Sequence, residues 1–100
     1  MKLWNCRLTL VGSKRTVASF AASSGWIKTL GARHIDWLQL CPGRHVCQFE
    51  TECPPVGPLR RVSRTWSRLT LLLDYEEETG RTKGLAKAKD GQVEHCEIGY

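Results

Sequence analysis

The stretch Trp4-Asn-Cys-Arg-Leu-Thr-Leu-Val-Gly12 indicates the first element of the fold. Its larger apolar side chains occupy every second position, namely Trp4, Cys6, Leu8 and Leu10. A period of two is typical of a strand with one buried face, because successive side chains point to opposite sides of a sheet. We therefore predict a strand that Gly12 ends and whose even-numbered residues face the core.

A helix is predicted directly after this strand. Ser13 is a suitable N-cap, because its hydroxyl can accept a backbone N–H of the first helical turn. Apolar and small residues then recur at helical spacing up to Gly25, a typical C-terminal stop: Val17, Phe20, Ala21 and Ser24. Residues 26–33 leave helix and strand open.

Two short strands separated by a turn follow. Residues 34–41 precede the turn signal Pro42-Gly43 and contain four apolar residues, which are Ile35, Trp37, Leu38 and Leu40. Residues 46–51 are a second β-prone run. Cys53-Pro54-Pro55 ends this run, since proline cannot donate to a sheet ladder.

A second helix is predicted from about residue 59 to residue 68. Pro58 suits its first turn, and three apolar residues share one face: Leu59, Val62 and Trp66. A second face is basic, because Arg60, Arg64 and Arg68 recur at every fourth position. Arg61 lies next to this row. The pattern predicts an amphipathic helix with a basic outer face.

The last part of the chain predicts a strand and then a hairpin. Residues 69–75 are rich in leucine and run into the acidic turn Glu76-Glu77-Glu78. Asp90-Gly91 is a strong signal for a type I′ turn between residues 85–89 and 92–96. Pairing around this turn sets Lys87 opposite Glu94 and Ala88 opposite Val93, so one face is charged and the other apolar.

The predicted order is strand, helix, strand, strand, helix, strand and hairpin. This order is typical of an α+β protein with a ferredoxin-like split βαβ sheet, two helices on one face and a C-terminal β-hairpin. We find no internal repeat or linker, so residues 1–100 are predicted to form a single domain.

Several segments of the chain resemble the YubB-type ferredoxin-like proteins carried by plasmids and phages. They are Asn5-Cys-Arg-Leu-Thr-Leu-Val-Gly12, Ile35-Asp-Trp-Leu-Gln-Leu-Cys-Pro42, and Phe49-Glu-Thr51 with Pro54-Pro55 and the strand of residues 69–77. The family usually has a Trp- and Gly-containing insertion between its second and third strands, where this sequence has only Gly43-Arg44-His45. The resemblance implies a ferredoxin-like sheet and an origin on a mobile element, and it brings no catalytic residues.

Composition excludes several classes of protein. The chain has 100 residues, 41% hydrophobic and 25% charged, which is ordinary globular composition rather than that of a disordered chain. No apolar run approaches the roughly 20 residues that a membrane span needs, and Asn5 and Arg7 interrupt the start before a signal peptide could form. We expect a cytoplasmic protein with no membrane association.

Charge is distributed unevenly along the chain. Residues 1–70 carry 11 basic and 3 acidic side chains, a charge of +8, whereas residues 71–100 carry 4 basic and 7 acidic ones, a charge of −3. Such polarity favours an acidic partner, either nucleic acid or the acidic surface of a protein. We predict that the partner binds the arginines of the second helix, which are Arg60, Arg61, Arg64 and Arg68, because guanidinium groups bind phosphate and carboxylate in two places.

Chemistry-bearing residues do not form a recognisable catalytic or metal motif. Cys41, His45, Cys47 and Cys53, with His34 upstream, have the residue types of a zinc site, but both Cys-to-Cys gaps hold five residues, which is not the spacing of zinc knuckles. The odd number of cysteines predicts reduced thiols, with Cys6, Cys47 and Cys96 buried. We predict no cofactor and no metal.

The tryptophans divide into core and surface residues. Trp4, Trp37 and Trp66 lie on predicted apolar faces, so we expect them in the core. Trp26 follows Gly25, and we expect it to be the most exposed aromatic residue.

These observations favour a protein that acts by binding and not by catalysis. With the mobile-element resemblance, the most concrete expectation is a stoichiometric anti-defence protein of the anti-CRISPR type, which inhibits a host nuclease complex. Its partner would be a host protein or ribonucleoprotein complex with an acidic surface. The alternative is a nucleic-acid-binding accessory protein that uses the same arginines. An exposed edge strand also allows pairing with a second copy, so the sequence permits a homodimer.

Overall fold

The computed structural model describes residues 3–99, which form a six-stranded sheet and three helices. In chain order the elements are β1 (Trp4–Val11), α1 (Lys14–Ala22), α2 (Gly25–Leu30), β2 (Arg33–Cys41), β3 (Arg44–Thr51), α3 (Val56–Thr65), β4 (Thr70–Glu77), β5 (Thr82–Lys89) and β6 (Gln92–Gly99). The strands lie in the order β2-β3-β1-β4-β5-β6, and all neighbouring strands are antiparallel. The protein is an α+β protein with an open antiparallel sheet.

Strand β1 has the alternation that its sequence predicts. Cys6, Leu8 and Leu10 are almost fully buried, while Asn5 and Arg7 are exposed. The strand is paired along its whole length on both sides, with β3 and with β4. Its buried row therefore continues into both neighbours, since Leu8 lies opposite Cys47 on one side and Leu73 on the other.

The three helices pack on the face of the sheet to which this buried row belongs. Each helix contributes side chains to the same hydrophobic cluster, namely Val17 and Phe20 from α1, Trp26 and Leu30 from α2, and Leu59 and Val62 from α3. The Ser13 side chain caps α1 as predicted, and its Oγ accepts a hydrogen bond of 3.1 Å from the Thr16 N–H. None of the helices within residues 3–99 is long and apolar enough to cross a lipid bilayer.

The prediction of two helices in the chain is wrong, because the structure has three. The segment after Ser13, predicted as one helix, forms both α1 and α2. Helix α1 ends at Ala22, and the Ser23 hydroxyl donates to the Phe20 carbonyl at its C-terminus. Gly25, expected as a stop, is the first residue of α2.

Trp26 is consequently buried at 3% exposure and not exposed as predicted. It stacks on Phe20 with ring centroids 4.9 Å apart, and its indole N–H donates to the Ser23 carbonyl. The other tryptophans, Trp4, Trp37 and Trp66, are half-buried against the core.

The C-terminal hairpin has the predicted register. Lys87 lies opposite Glu94 and Ala88 opposite Val93, and the turn residues Asp90 and Gly91 have φ angles of 48° and 80°, as a type I′ turn requires. Strand β5 pairs with the outer edge of β4, so the hairpin extends the sheet to six strands. The strand order is therefore not that of the classic ferredoxin-like sheet.

Gly84 on β5 allows a close contact with a large ring on the neighbouring strand. It lies opposite Tyr75 of β4, which is buried. A Cβ atom at position 84 would lie 2.0 Å from Cζ of the Tyr75 ring. The ring therefore covers the glycine backbone, and any larger residue there would displace it.

We predict that Gly84→Ala destabilises the fold by roughly 1–3 kcal/mol, the usual cost of overpacking a core. Equilibrium urea unfolding measures the change. The matched control is Gly25→Ala in α2, where an added Cβ meets nothing within 4 Å. This control should gain up to about 1 kcal/mol, because alanine favours a helix. Equal stability of the Gly84→Ala variant and the parent would show that Tyr75 does not pack there.

Candidate binding surface

The predicted arginine stripe is only partly helical. Arg60, Arg61 and Arg64 are exposed residues of α3. Arg68 is exposed too, but it lies in the turn after the helix, so the prediction of a helix that reaches residue 68 is wrong. Helix α3 ends at Thr65 because Trp66 leaves the helical conformation, with φ −108° and ψ 57°. The Trp66 ring then packs edge-on against Phe20, 5.1 Å away.

Four separate segments of the chain meet at one end of the sheet. The Gly12 N–H, between β1 and α1, donates a hydrogen bond of 3.1 Å to the Gly43 carbonyl in the turn between β2 and β3. The Lys89 ammonium, before the turn between β5 and β6, donates to the Arg68 carbonyl at 3.4 Å. A Cβ atom on Gly12 would lie 3.4 Å from that same carbonyl oxygen, so all four segments adjoin one another.

This end of the molecule, which we call the basic end, is formed by residues 12–15, 42–44, 64–70 and 89–92. It holds six basic side chains and one acidic side chain, Asp90; the basic ones are Lys14, Arg15, Arg44, Arg64, Arg68 and Lys89. Within residues 3–99, none of the six forms an ion pair. Helix α1 adds its positive N-terminal dipole here and has no acidic residue in its first turn. The basic end therefore carries a net charge of +5, and no acidic side chain of residues 3–99 forms an ion pair with its six cations.

The opposite end of the sheet is acidic, and most of its charges are paired. Six carboxylates lie there: Glu50, Glu52, Glu76, Glu77, Glu78 and Glu97. Arg33 pairs with Glu52, and Lys83 lies 3.8 Å from Glu76. His34 Nδ1 is 2.6 Å from a Glu50 oxygen. The uneven charge of the sequence thus becomes a separation between the two ends of the strands.

Arg64 has a structural role as well as an exposed position. A Cβ atom on Gly91 would lie 2.8 Å from Cγ and Nε of Arg64, so this side chain lies across the turn between β5 and β6. The neighbouring Ser63 is fully buried and ties the same turn to α3. Its Oγ accepts the Gly91 N–H at 2.9 Å and donates to the Arg60 carbonyl at 2.8 Å. Replacing Arg64 would therefore change packing together with charge.

The face of the sheet opposite the helices, which we call the open face, has no aromatic side chain on β1, β3, β4, β5 or β6. The register places on it the odd-numbered residues of β1 and β5 and the even-numbered residues of β3, β4 and β6. A groove of about 730 Å³ crosses this face, lined among others by Arg7, Gln48, Asp74, Leu85, Cys96 and Ile98. Its charged lining residues are two basic and three acidic side chains, and Leu85 and Ile98 are exposed beside them. Base stacking, the usual way in which open sheets bind single strands, has no platform here.

The structure separates the candidate zinc ligands. Cys41 is exposed at the basic end, whereas Cys53 is exposed beyond the other end of β3, and Cys47 between them is buried. His45 binds the Cys41 carbonyl through Nδ1, 3.1 Å away. Within the described part of the chain, no three of the His, Cys, Asp and Glu side chains form a group that could hold a metal ion.

The predicted burial of the cysteines is right for Cys6 and Cys47 and wrong for Cys96, which is exposed. Cys96 lies on the open face of β6, an edge strand that no other strand covers. Burial raises the pKa of Cys47 to about 12. Burial also raises the pKa of Cys6 to about 11, while its hydrogen bond with Thr51 opposes the shift.

One cluster of titratable side chains lies where β4, β5 and β6 meet. The Tyr75 hydroxyl donates to a Glu97 oxygen at 2.6 Å, and His95 Nε2 lies 2.5 Å from the same hydroxyl. Because the tyrosine proton goes to Glu97, His95 must donate its Nε2 proton to Tyr75. Burial, followed by the bond to Glu97, raises the pKa of Tyr75 above its usual range. The cluster fixes both residues of β6 against the sheet.

The sequence-based prediction missed four of the six cations of the basic end, namely Lys14, Arg15, Arg44 and Lys89. The signal that could have found them was available, because all four residues adjoin a predicted turn and alternate turns of an antiparallel sheet lie at the same end.

Comparison with known proteins adds nothing to this geometry, since no family model, curated protein or solved structure matches the chain.

The buried thiols predict a loss of stability in alkaline solution. Both remain protonated in the fold above their ordinary pKa of 9.0, whereas the unfolded chain ionises near that pH. The free energy of unfolding should therefore be unaffected by these groups below about pH 9 and should fall as pH rises towards their folded pKa values. Tyr75 adds an effect of the same sign above its own ordinary pKa.

We expect Cys47→Ala to reduce this decline, and urea unfolding at several pH values from 8 to 11 measures it. Cys41→Ala is the control, because Cys41 is exposed and its loss should leave the slope unchanged. A slope that Cys47→Ala does not reduce would contradict the prediction.

Proposed function

We propose that this protein acts without catalysis, by binding its basic end to a negatively charged macromolecular surface. The observation that carries the proposal is the meeting of six basic side chains from four chain segments, none in an ion pair within residues 3–99. Like charges held together destabilise a fold unless a partner compensates them. Charge concentrated in this way increases the rate of association with an anionic partner and orients it.

The side chains of the basic end suit phosphate and carboxylate groups. Four of its six cations are exposed arginines, Arg15, Arg44, Arg64 and Arg68, and guanidinium groups bind phosphate and carboxylate in two places. Arg60 and Arg61 continue the positive charge along the exposed side of α3. The proposed surface therefore includes the predicted set Arg60, Arg61, Arg64 and Arg68 and extends it to the basic end.

The arrangement of titratable groups supports a role without catalysis. Each histidine binds a group other than a thiol: His34 binds Glu50, His45 binds the Cys41 carbonyl, and His95 binds Tyr75. A nucleophilic cysteine would need an adjacent base, and none of these contacts supplies one.

The finer fold assignment is part of the proposal. We regard residues 4–77 as a ferredoxin-like split βαβ unit, supported by the position of β3 between β1 and β2 and of β1 between β3 and β4. The hairpin of β5 and β6 is then an addition to one edge. The resemblance of residues 5–12 and 35–42 to YubB-type proteins of plasmids and phages supports the same assignment.

The resemblance also carries the more specific form of the function, an anti-defence protein of the anti-CRISPR type. Such a protein would occupy the surface of a host ribonucleoprotein nuclease and inhibit it in stoichiometric amounts. A ribonucleoprotein exposes RNA phosphates and carboxylates, and both classes of group fit the basic end. The cytoplasm, where such complexes act, is the proposed location.

A second candidate function is that of a nucleic-acid-binding accessory protein, which the same unpaired cations favour. The two functions differ in what suffices for binding. A nucleic-acid-binding protein binds random DNA or RNA by itself, and its affinity falls steeply with salt because phosphates release counterions. An inhibitor requires the nuclease complex.

We predict that the combined variant Arg44→Ala, Arg68→Ala and Lys89→Ala loses function without unfolding. Phage plaquing on a host whose CRISPR system targets that phage is the measurement. The parent chain should restore plaquing and the variant should not, because each residue is exposed and comes from a different segment of the basic end. Arg64 is left unchanged because it packs on Gly91.

The control variant replaces three exposed cations outside the basic end, Lys28, Arg81 and Lys83, by alanine. It removes the same charge and should behave as the parent does. Anisotropy with random duplex DNA and RNA tests the second candidate: tight binding, with a salt slope that falls by roughly 2–3 in the basic-end variant, would support it. Equal activity of the two triple variants would contradict both functions at this surface.

A further inference from the structure

We propose that two copies of this chain form a homodimer by antiparallel pairing of their β6 strands, with Cys96 on the two-fold axis. The inference does not rest on the proposed function. It rests on the state of the two sheet edges, on the hydrogen-bonding direction of β6 and on the match between residues that self-pairing brings together.

The two edges of the sheet differ. Strand β2 is an irregular edge, with register shifts after Arg33 and after Trp37 and a positive φ of 54° at His34. Such irregularities prevent a further strand from adding to an edge. Strand β6 is paired with β5 over all eight residues without a shift. It contains neither proline nor lysine, and its charged side chains are the carboxylates Glu94 and Glu97, which a second strand must accommodate.

The turn between β5 and β6 sets which backbone groups of β6 point outward. In a two-residue turn the first flanking residue, Lys89, accepts from the N–H of the second, Gln92. Along an antiparallel pair, residues that hydrogen-bond to the neighbouring strand alternate with residues whose N–H and C=O groups point away from it. The N–H and C=O groups that point away from β5 therefore belong to residues 93, 95, 97 and 99.

When two β6 strands pair through these groups, odd-numbered residues of one copy lie opposite odd-numbered residues of the other. One residue of β6 then lies opposite itself, on the two-fold axis. An axis at Glu94 or at Glu97 would bring identical carboxylates together, which is unfavourable. An axis at His95 sets Val93 against Glu97 of the second copy. An axis at Cys96 sets His95 against Glu97 of the second copy, twice, and only this register pairs a donor ring with a carboxylate.

The Tyr75 cluster prepares both side chains for this contact. His95 donates its Nε2 proton to Tyr75, and the imidazolium form of the ring carries a second N–H, at Nδ1, that can donate to Glu97 of the second copy. Glu97 accepts from Tyr75 with one oxygen, which leaves the other oxygen to accept from the second copy. Both residues lie on the helix side of the sheet, so the pair meets on one face. On the open face, the row Leu85–Cys96 continues into the same row of the second copy and forms an apolar stripe across the interface.

The charge of the whole molecule is complementary in the same arrangement. Antiparallel pairing places the basic end of one copy beside the acidic end of the other. The two charge separations are then opposed, which lowers the electrostatic energy of the dimer. A parallel arrangement would place like ends together.

Sedimentation velocity of the full chain from 5 to 200 µM is the first test, with a dimer as the expected result. Glu97→Lys should weaken association roughly ten- to hundred-fold, because it replaces both attractive pairs by unfavourable ones. The combined variant His95→Glu and Glu97→Lys restores opposite charges and should restore the dimer. Glu78→Lys is the matched control, an equal charge change at an exposed residue outside β6, and should leave the dimer intact. Circular dichroism verifies that each variant is folded.

Disulfide trapping tests the register independently of charge. In the variant Cys41→Ser with Cys53→Ser, the exposed thiol that remains is Cys96. Directly opposed residues of a non-hydrogen-bonded pair have Cα atoms about 4.5 Å apart, within the range of a disulfide. Diamide should link two chains through an S–S bond, taking up the two protons and two electrons that the thiols lose. A parent chain that is monomeric at 200 µM, a dimer unaffected by Glu97→Lys, or the absence of the Cys96 link would overturn the proposal.

Discussion

The constraint on which the structure depends is the position of β1 in the middle of the sheet. Its backbone is paired on both sides, so no shift of register is available without breaking two ladders. A shift by one residue would also move Leu8 and Leu10 from the core to the open face. Burial of each leucine contributes roughly 1.5–3 kcal/mol, so this register is strongly favoured. The helices, both neighbouring strands and the turns at the basic end take their places from it.

Local patterns allowed the strands and the hairpin to be predicted, because each carries its own information. The alternation in β1 and the Asp90-Gly91 turn depend on residues close in sequence. The helices were predicted less well, because their ends depend on packing contacts that local patterns do not include. Gly25 is a good helix stop by local rules, but the bend at Ser23 and Ser24 brings Trp26 onto Phe20, and burial of that ring outweighs the local preference. Trp66 likewise leaves the helix at the end of α3, and its half-buried ring packs against Phe20 of the core.

The candidate site illustrates the difference between charge in a sequence and charge in a fold. The arginines of α3 were conspicuous because they recur at helical spacing. Lys14, Arg44 and Lys89 share no periodicity, and only the topology brings them together. A chain that reverses direction at every turn places alternate connections at the same end, so a topology assigned from the predicted order would have grouped them. The sequence could not show that these cations form no ion pair within residues 3–99, because that depends on the fold, which places most glutamates at the opposite end of the strands.

The two proposals have a geometric consequence when they are combined. In a dimer paired through β6, the basic ends point in opposite directions along the strands and lie on either side of the two-fold axis. Two such ends cannot contact one compact anionic site together. They can contact two repeated sites, such as successive subunits of a filamentous ribonucleoprotein or separate phosphate runs of one nucleic acid. Binding of the second end would then be intramolecular, which increases the overall affinity without any additional contact. Charge alone would be a weak source of specificity at either end, because screening acts over about 8 Å at physiological salt. The spacing between the two ends therefore favours a partner with repeated anionic sites over a single compact site of the same charge.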